Sequence, residues 1–89
     1  GCVLVVDAEG VLKGIITDGD LRRHMSADLL TQTVDQVMTA NPASVPPETL
    51  VAEALEIVET RKIGSLIVTE GQKPVGIVHV LDLLRAGAA

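Results

Sequence analysis

Gly14-Ile15-Ile16-Thr17-Asp18-Gly19-Asp20-Leu21-Arg22-Arg23 aligns with Gly76-Ile77-Val78-His79-Val80-Leu81-Asp82-Leu83-Leu84-Arg85, and five of the ten pairs are identical, too many for chance. Upstream of each block lies a second match, Gly1-Cys2-Val3-Leu4-Val5-Val6-Asp7 against Gly64-Ser65-Leu66-Ile67-Val68-Thr69-Glu70. The spacing is 63 residues from Gly1 to Gly64 and 62 from Gly14 to Gly76. One residue is therefore missing between the two blocks of the second copy, in a loop, where deletions are tolerated. The chain repeats one supersecondary unit, and that repeat organises everything else.

Each copy opens on a short apolar, β-branched run that reads as a largely buried strand. A polar turn follows, Asp7-Ala8-Glu9-Gly10 or Glu70-Gly71-Gln72-Lys73-Pro74, and then a second strand, Leu12 to Thr17 or Val75 to Val80. Strands separated by so few residues pair as an antiparallel hairpin. A short helix is predicted to start near Asp18 or Leu81 and to run to about Met25 or Ala86. The second copy also shows what precedes its hairpin. Met38-Thr39-Ala40-Asn41-Pro42 reads as a turn, and Ala43 to Val45 as a short edge strand between Pro42 and Pro46. Thr49 is a good N-cap for a helix from about Leu50 to Lys62, with Gly64 closing it. Val51, Ala54, Leu55 and Val58 form one apolar stripe, and Glu53, Glu56 and Thr60 face the other way. The complete unit is thus strand, helix, strand, strand, helix.

The first copy lacks its opening strand and helix, so about 25 residues are expected before Gly1 in an intact chain. Residues 1–26 are then the C-terminal part of a first domain, 27–37 a polar connector and 38–89 a second domain. The fold class is α+β.

Composition narrows function. The 89 residues are of ordinary size for one compact body, and 47% are apolar without one aromatic, so the core must be Val, Leu, Ile and Ala. A body this small buries only roughly 60 to 65% of its unfolded surface, so the surplus of apolar residues points to self-association. A net charge of −5 argues against a nucleic-acid partner, which needs clustered Lys and Arg, and the missing aromatics remove any stacking platform. No apolar run approaches the roughly 20 residues of a bilayer span. The lone Cys2, within an apolar stretch, gives neither a disulfide nor a metal cluster and reads as a small buried side chain. An intracellular, cytoplasmic protein is expected. No nucleophile–base set, phosphate-cradling glycine loop or dinucleotide fingerprint is present, so the chain by itself is not expected to be catalytic, and no cofactor is called for. Asp18-Gly19-Asp20 superficially suggests a calcium loop, but no carboxylates follow at the required positions and no metal is expected.

The tandem β-α-β-β-α unit, with Gly14-Ile15-Ile16-Thr17-Asp18-Gly19-Asp20-Leu21-Arg22-Arg23 closing its first copy, resembles the CBS (cystathionine β-synthase) domain family. In that family two units pack through their sheets as a pseudo-twofold pair, and adenosine-type nucleotides often bind in the clefts. Thr17-Asp18-Gly19-Asp20-Leu21-Arg22-Arg23, Val37-Met38-Thr39 and Asp82-Leu83-Leu84-Arg85-Ala86-Gly87 are further similar to the C-terminal tail of bacterial D-arabinose 5-phosphate isomerases. Those enzymes supply the Kdo sugar of lipopolysaccharide from a separate sugar-isomerase domain. The resemblance implies a regulatory tail sensing a sugar nucleotide such as CMP-Kdo, or an adenine nucleotide, and a homo-oligomer assembled through paired modules. Two alternatives stay open: a purely structural oligomerisation module that binds no ligand, and an adenine-nucleotide sensor of another enzyme.

Thr17 and Asp20 match the family's Thr-x-x-Asp. An ionised Asp20 only accepts hydrogen bonds, which suits the two hydroxyls of a ribose. Thr17, helix amides around Gly19 and a nearby Arg such as Arg23 suit phosphate. The plainer reading is helix capping by Asp18 with Asp20 in the first turn, and both can hold together. In the second copy Asp82 is kept and His79 replaces the Thr, offering a titratable donor. A His that often precedes the last motif's Asp in the family is replaced by Leu81 here, and His79 stands two residues earlier. By the same resemblance the site also takes in the turn Thr39, Ala40 and Asn41, and then Lys62, Ile63, Gly64 and Ser65 at the opening of the next strand. Gly1 and Cys2 are the first-copy counterparts of Gly64 and Ser65, so the two sites are expected to differ.

Overall fold

The computed structural model of the chain describes residues 1–87 and separates two compact units, Gly1–Pro42 and Ala43 onward, rather than the single body its length suggests. In each unit the apolar runs flanking a polar turn fold as the expected antiparallel hairpin.

In the first unit β1 (Cys2–Val6) pairs with β2 (Leu12–Thr17), Cys2 opposite Thr17 and Leu4 opposite Ile15. Asp7 makes the turn: its carboxylate accepts the Glu9 and Val11 amide N–H groups at 2.9 and 3.0 Å, and Gly10 supplies a φ of 85°. Helix α1 (Asp18–Arg23) stops at Arg23, short of the predicted Met25. The stretch predicted as a plain polar connector has structure of its own. A 3₁₀ turn spans Leu29–Thr31, and α2 (Val34–Val37) is a single turn whose Gln36 side chain accepts the Thr33 amide N–H at 2.9 Å. Val37 and Ile15 are the buried apolar residues of this unit.

The segment predicted as the turn Met38–Pro42 begins instead as β3 (Thr39–Ala40), antiparallel to β2, with Ile15 opposite Thr39 and Gly14 opposite Ala40. Gly14 makes this close approach possible. A Cβ there would run into the Met38 side chain and stand 2.9 Å from the Thr39 carbonyl oxygen. The sheet order is β1-β2-β3. Thr39 to Pro42, counted with the second repeat by sequence, thus belong to the first compact unit by their hydrogen bonds.

The second unit follows the predicted order in full. Strand β4 (Ser44–Val45) pairs parallel with β5 (Ser65–Glu70), which pairs antiparallel with β6 (Lys73–His79). Between β4 and β5 lies α3 (Val51–Arg61), and α4 (Val80–Gly87) follows β6. Residues 88 and 89, counted in the second repeat, lie outside the described residues. Ala54 and Val58 of α3, Leu66 of β5, Val45 and Leu83 are buried together, with Leu55, Ile57, Ile63, Val78 and Val80 packed around them. Each such Leu or Val side chain removed from water stabilises the unit by roughly 1.5 to 3 kcal/mol. Val51, the first member of the predicted stripe, is exposed, and Ile57 takes a place on the buried side.

Both predicted ends of α3 are corrected. Leu50, not Thr49, is the N-cap residue and makes no side-chain cap, because the Thr49 amide is drawn back to the Pro46 carbonyl at 3.1 Å in the preceding turn. At the other end Lys62 itself takes the left-handed conformation (φ 55°). The Val58 carbonyl accepts the Ile63 amide at 3.1 Å there, so the helix is closed two residues before Gly64.

Candidate functional site

The strand-to-helix junction of the first unit is a capping box built from Thr17 and Asp20. Thr17, not Asp18, is the N-cap residue of α1, in extended backbone conformation. Its hydroxyl accepts the Asp20 amide N–H at 3.3 Å and donates to Asp20 Oδ2 at 3.0 Å, while Oδ2 also accepts the Thr17 amide N–H at 2.8 Å. The other carboxylate oxygen, Oδ1, accepts the Thr39 hydroxyl at 2.6 Å and the Arg23 guanidinium. Asp20 is 2% exposed. Burial works to raise its pKa, but the Thr39 hydroxyl, the Thr17 amide and hydroxyl and the Arg23 guanidinium together outweigh it and hold it at about 2.

The remaining predicted residues of this unit lie around that cluster. Asp18 is exposed and points away from the capping role expected of it. A side chain at Gly19 would meet Arg23 at 3.4 Å and Thr17 at 3.6 Å, ordinary contact distances. Ala40 is committed to the sheet, and Asn41, in left-handed conformation (φ 52°), donates its amide to the Lys13 carbonyl at 3.2 Å. Of Thr39, Ala40 and Asn41, which the sequence reading had put at the start of the second copy, Thr39 reaches the first unit's carboxylate, while Ala40 and Asn41 bond to the backbone of β2.

The second junction is built from the same sequence positions and is more open. Ser65 lies opposite His79 across the β5–β6 ladder. The Gly64 carbonyl accepts the Val80 amide at 2.8 Å, which draws the strand opening onto the start of α4, and His79 Nε2 lies 3.9 Å from where a Gly64 Cβ would be. His79 repeats the capping role of Thr17: its Nδ1 accepts the Leu81 amide N–H at 3.1 Å. A neutral ring so placed carries its proton on Nε2, leaving that atom a donor. Asp82 is exposed and accepts only the His79 amide, at 3.4 Å, among the described residues. Lys62 is exposed at the end of α3, and Ile63 packs against the core, so of the predicted set Ile63 is held inward.

Ser65, His79 and Asp82 sit close together but form no catalytic relay. Nδ1 of His79 is occupied by a backbone amide, and Asp82 addresses the main chain rather than the imidazole. What the junction does offer is donors on paired residues, Nε2 of His79 and the Ser65 hydroxyl, next to an exposed carboxylate at Asp82. Donors suit a phosphate and a carboxylate suits a diol. In the first unit the counterpart of Ser65 is Cys2, half-buried and only a weak donor. Among the described residues no group of His, Cys, Asp and Glu is arranged to hold a metal ion, and no helix is long and apolar enough to cross a membrane.

Two α+β units of one repeated pattern, each with an acidic residue at a strand-to-helix junction, define a class of small tandem-repeat modules. The chain belongs to the CBS domain family, whose pattern it matches over residues 1–27 and 34–89. It is 49% identical over 90 residues to arabinose 5-phosphate isomerase KdsD of Pseudomonas aeruginosa, covering 98% of this chain and 28% of that protein. To arabinose 5-phosphate isomerase KpsF of Escherichia coli it is 44% identical over 85 residues, covering 92% and 26%. The chain thus spans little more than a quarter of the length of these relatives. Among solved structures, the CBS-domain containing protein ATU1752 from Agrobacterium tumefaciens superposes with a TM-score of 0.86 at 30% identity, over 98% of this chain and 71% of that one. CBSX2 in complex with AMP gives 0.80 at 26%, over 98% and 70%. The CBS domain pair of MJ0100, in complex with 5-methylthioadenosine and S-adenosyl-L-methionine, gives 0.83 at 25%, over 98% and 69%.

Proposed function

We propose that this chain is the effector-sensing module of a larger enzyme, an aldose–ketose isomerase acting on D-arabinose 5-phosphate in the cytoplasm, and that its effector is a nucleotide. The observation that carries the reading is the second junction: an exposed Asp82 beside the donors of His79 and Ser65, whose hydrogen bonds among the described residues go to the main chain and form no catalytic relay. Thr17, Asp18, Gly19, Asp20, Arg23, Thr39, Ala40 and Asn41 make up the corresponding region of the first unit, and Lys62, Ile63, Gly64, Ser65, His79 and Asp82 that of the second. Solved relatives hold AMP, or 5-methylthioadenosine with S-adenosyl-L-methionine, which supports an adenosine-type ligand. The likeness to isomerases of the Kdo route supports CMP-Kdo as the other candidate, since a pathway end product is a fitting signal for an early enzyme.

A thermal-shift and calorimetry series with AMP, ADP, ATP, CMP and CMP-Kdo tests the reading and separates the two ligand classes. Asp82→Ala is expected to weaken binding of the best ligand about ten- to a hundredfold, the loss of a charge-assisted diol contact, with little change in thermal stability. Unchanged affinity in that variant would remove Asp82 from the site. If no nucleotide shifts the protein, a purely structural module replaces the sensor. The proposal includes self-association. Leu81 and Leu84 of α4 are each 52% exposed, and covering them is expected to give a dimer mass by light scattering. A monomer mass at high concentration would count against it.

A further inference from the structure

Building on the nucleotide reading above, we propose that Thr39 is a positioning residue that occupies the first unit's carboxylate, so that the chain takes up nucleotide through its second unit alone. A carboxylate has two oxygens and about four acceptor sites. At Asp20 four donors already point at them: the Thr17 amide and hydroxyl at Oδ2, and the Thr39 hydroxyl and Arg23 guanidinium at Oδ1. With 2% exposure there is neither capacity nor access for the two hydroxyls of a ribose. Asp82, at the equivalent position of the repeat, is exposed and meets a single amide at 3.4 Å among the described residues.

The four donors on Asp20 are not alike. Those of Thr17 and Arg23 lie within three residues of it, so they come with any helix built on this motif. The Arg23 side chain is 65% exposed and able to swing into solvent. Thr39 is 19 residues away and reaches Oδ1 only because β3 pairs with β2, placing Thr39 opposite Ile15. That strand has two residues, both exposed. Short, solvent-facing pairing of this kind opens at low cost. Removing the Thr39 hydroxyl therefore takes away the non-local donor at Oδ1 and leaves the capping box at Oδ2 intact.

Calorimetry with AMP on the wild-type chain, Thr39→Val, Thr39→Ser and Asp82→Asn tests this. Expected are one nucleotide per chain for wild type and Thr39→Ser, its loss in Asp82→Asn, and two per chain in Thr39→Val. Two per chain in the wild type, or a single site that survives Asp82→Asn, would overturn the proposal. A ligand-free measurement separates this from the nucleotide reading. Followed by carbon-13 NMR, the Asp20 carboxyl is expected to titrate at about 2 in the wild type and to move upward in Thr39→Val. Identical titration in both proteins overturns the role of Thr39 whatever binds. No AMP binding, together with the expected movement, overturns the ligand and leaves Thr39 as the holder of the carboxylate.

Discussion

Burial alone would push the Asp20 carboxyl above its ordinary 3.8, and the donors from Thr39, Thr17 and Arg23 hold it at about 2 instead. A folded value below the unfolded one means that the ionised form favours the fold. The contribution, of roughly 2 kcal/mol, is fully present above about pH 4 and is lost as the pH falls through about 2. Chemical denaturation of the chain across that acid range should show the fall, and Asp20→Asn should remove this part of it. The amide would turn an NH₂ toward one of the donors, so the same variant is expected to cost roughly 2 to 3 kcal/mol at neutral pH. An Asp20→Asn protein with unchanged stability at pH 7 would show that the cluster is slack. Asp82, exposed and held by a single long contact, should give no comparable loss on the same substitution. Two aspartates at one repeat position thus have different work, one structural and one open to solvent.

At the scale of elements, the paired glycines of the repeat show the same divergence. Gly14 and Gly76 are equivalent in sequence and both lie in the second strand of a hairpin. A Cβ at Gly14 would collide with Met38 and the backbone of Thr39, because β3 crosses there. At Gly76 the nearest neighbour would be the Val68 Cβ, at 3.9 Å. Gly14→Ala is therefore expected to destabilise by roughly 1 to 3 kcal/mol through overpacking. Gly76→Ala should stay within about 0.5 kcal/mol of wild type, or stabilise slightly by restricting the unfolded chain. Thermal melts of the two variants check this, and equal melting points would mean that β3 does not bear on Gly14. The helices follow local rules where side chains can act locally, as at Thr17 and His79, and depart from them where the preceding turn takes the cap, as at Thr49.

At the scale of the whole molecule, a site with no chemistry matters to an enzyme only if its ligand favours one arrangement of the assembly over another. The proposed regulatory role predicts that, in the full-length isomerase, the effector changes substrate affinity by about five- to 150-fold, the usual range for coupled sites. Deleting the residues from Gly1 onward should leave isomerase activity and abolish that response. Steady-state kinetics of intact and truncated enzyme, with and without the best ligand, is the measurement. Ligand binding without any kinetic change in the intact enzyme would favour a structural module.

The sequence by itself determined the repeated hairpin followed by a helix and the full strand-helix-strand-strand-helix order of the second unit. These rest on period-two and period-3.6 patterns, which a local stretch carries within itself, whereas the caps expected at Asp18 and Thr49 fall instead to Thr17 and Leu50. The pairing of Thr39 with Ile15, the room denied at Gly14 and the left-handed Lys62 were settled only in the folded chain. So was the difference between the two aspartates. Sequence shows that Asp20 and Asp82 can accept hydrogen bonds, but whether that capacity is spent depends on which distant segment packs alongside. For Asp20 that segment is β3, whose Thr39 hydroxyl fills the acceptor site that Asp82 still presents to solvent.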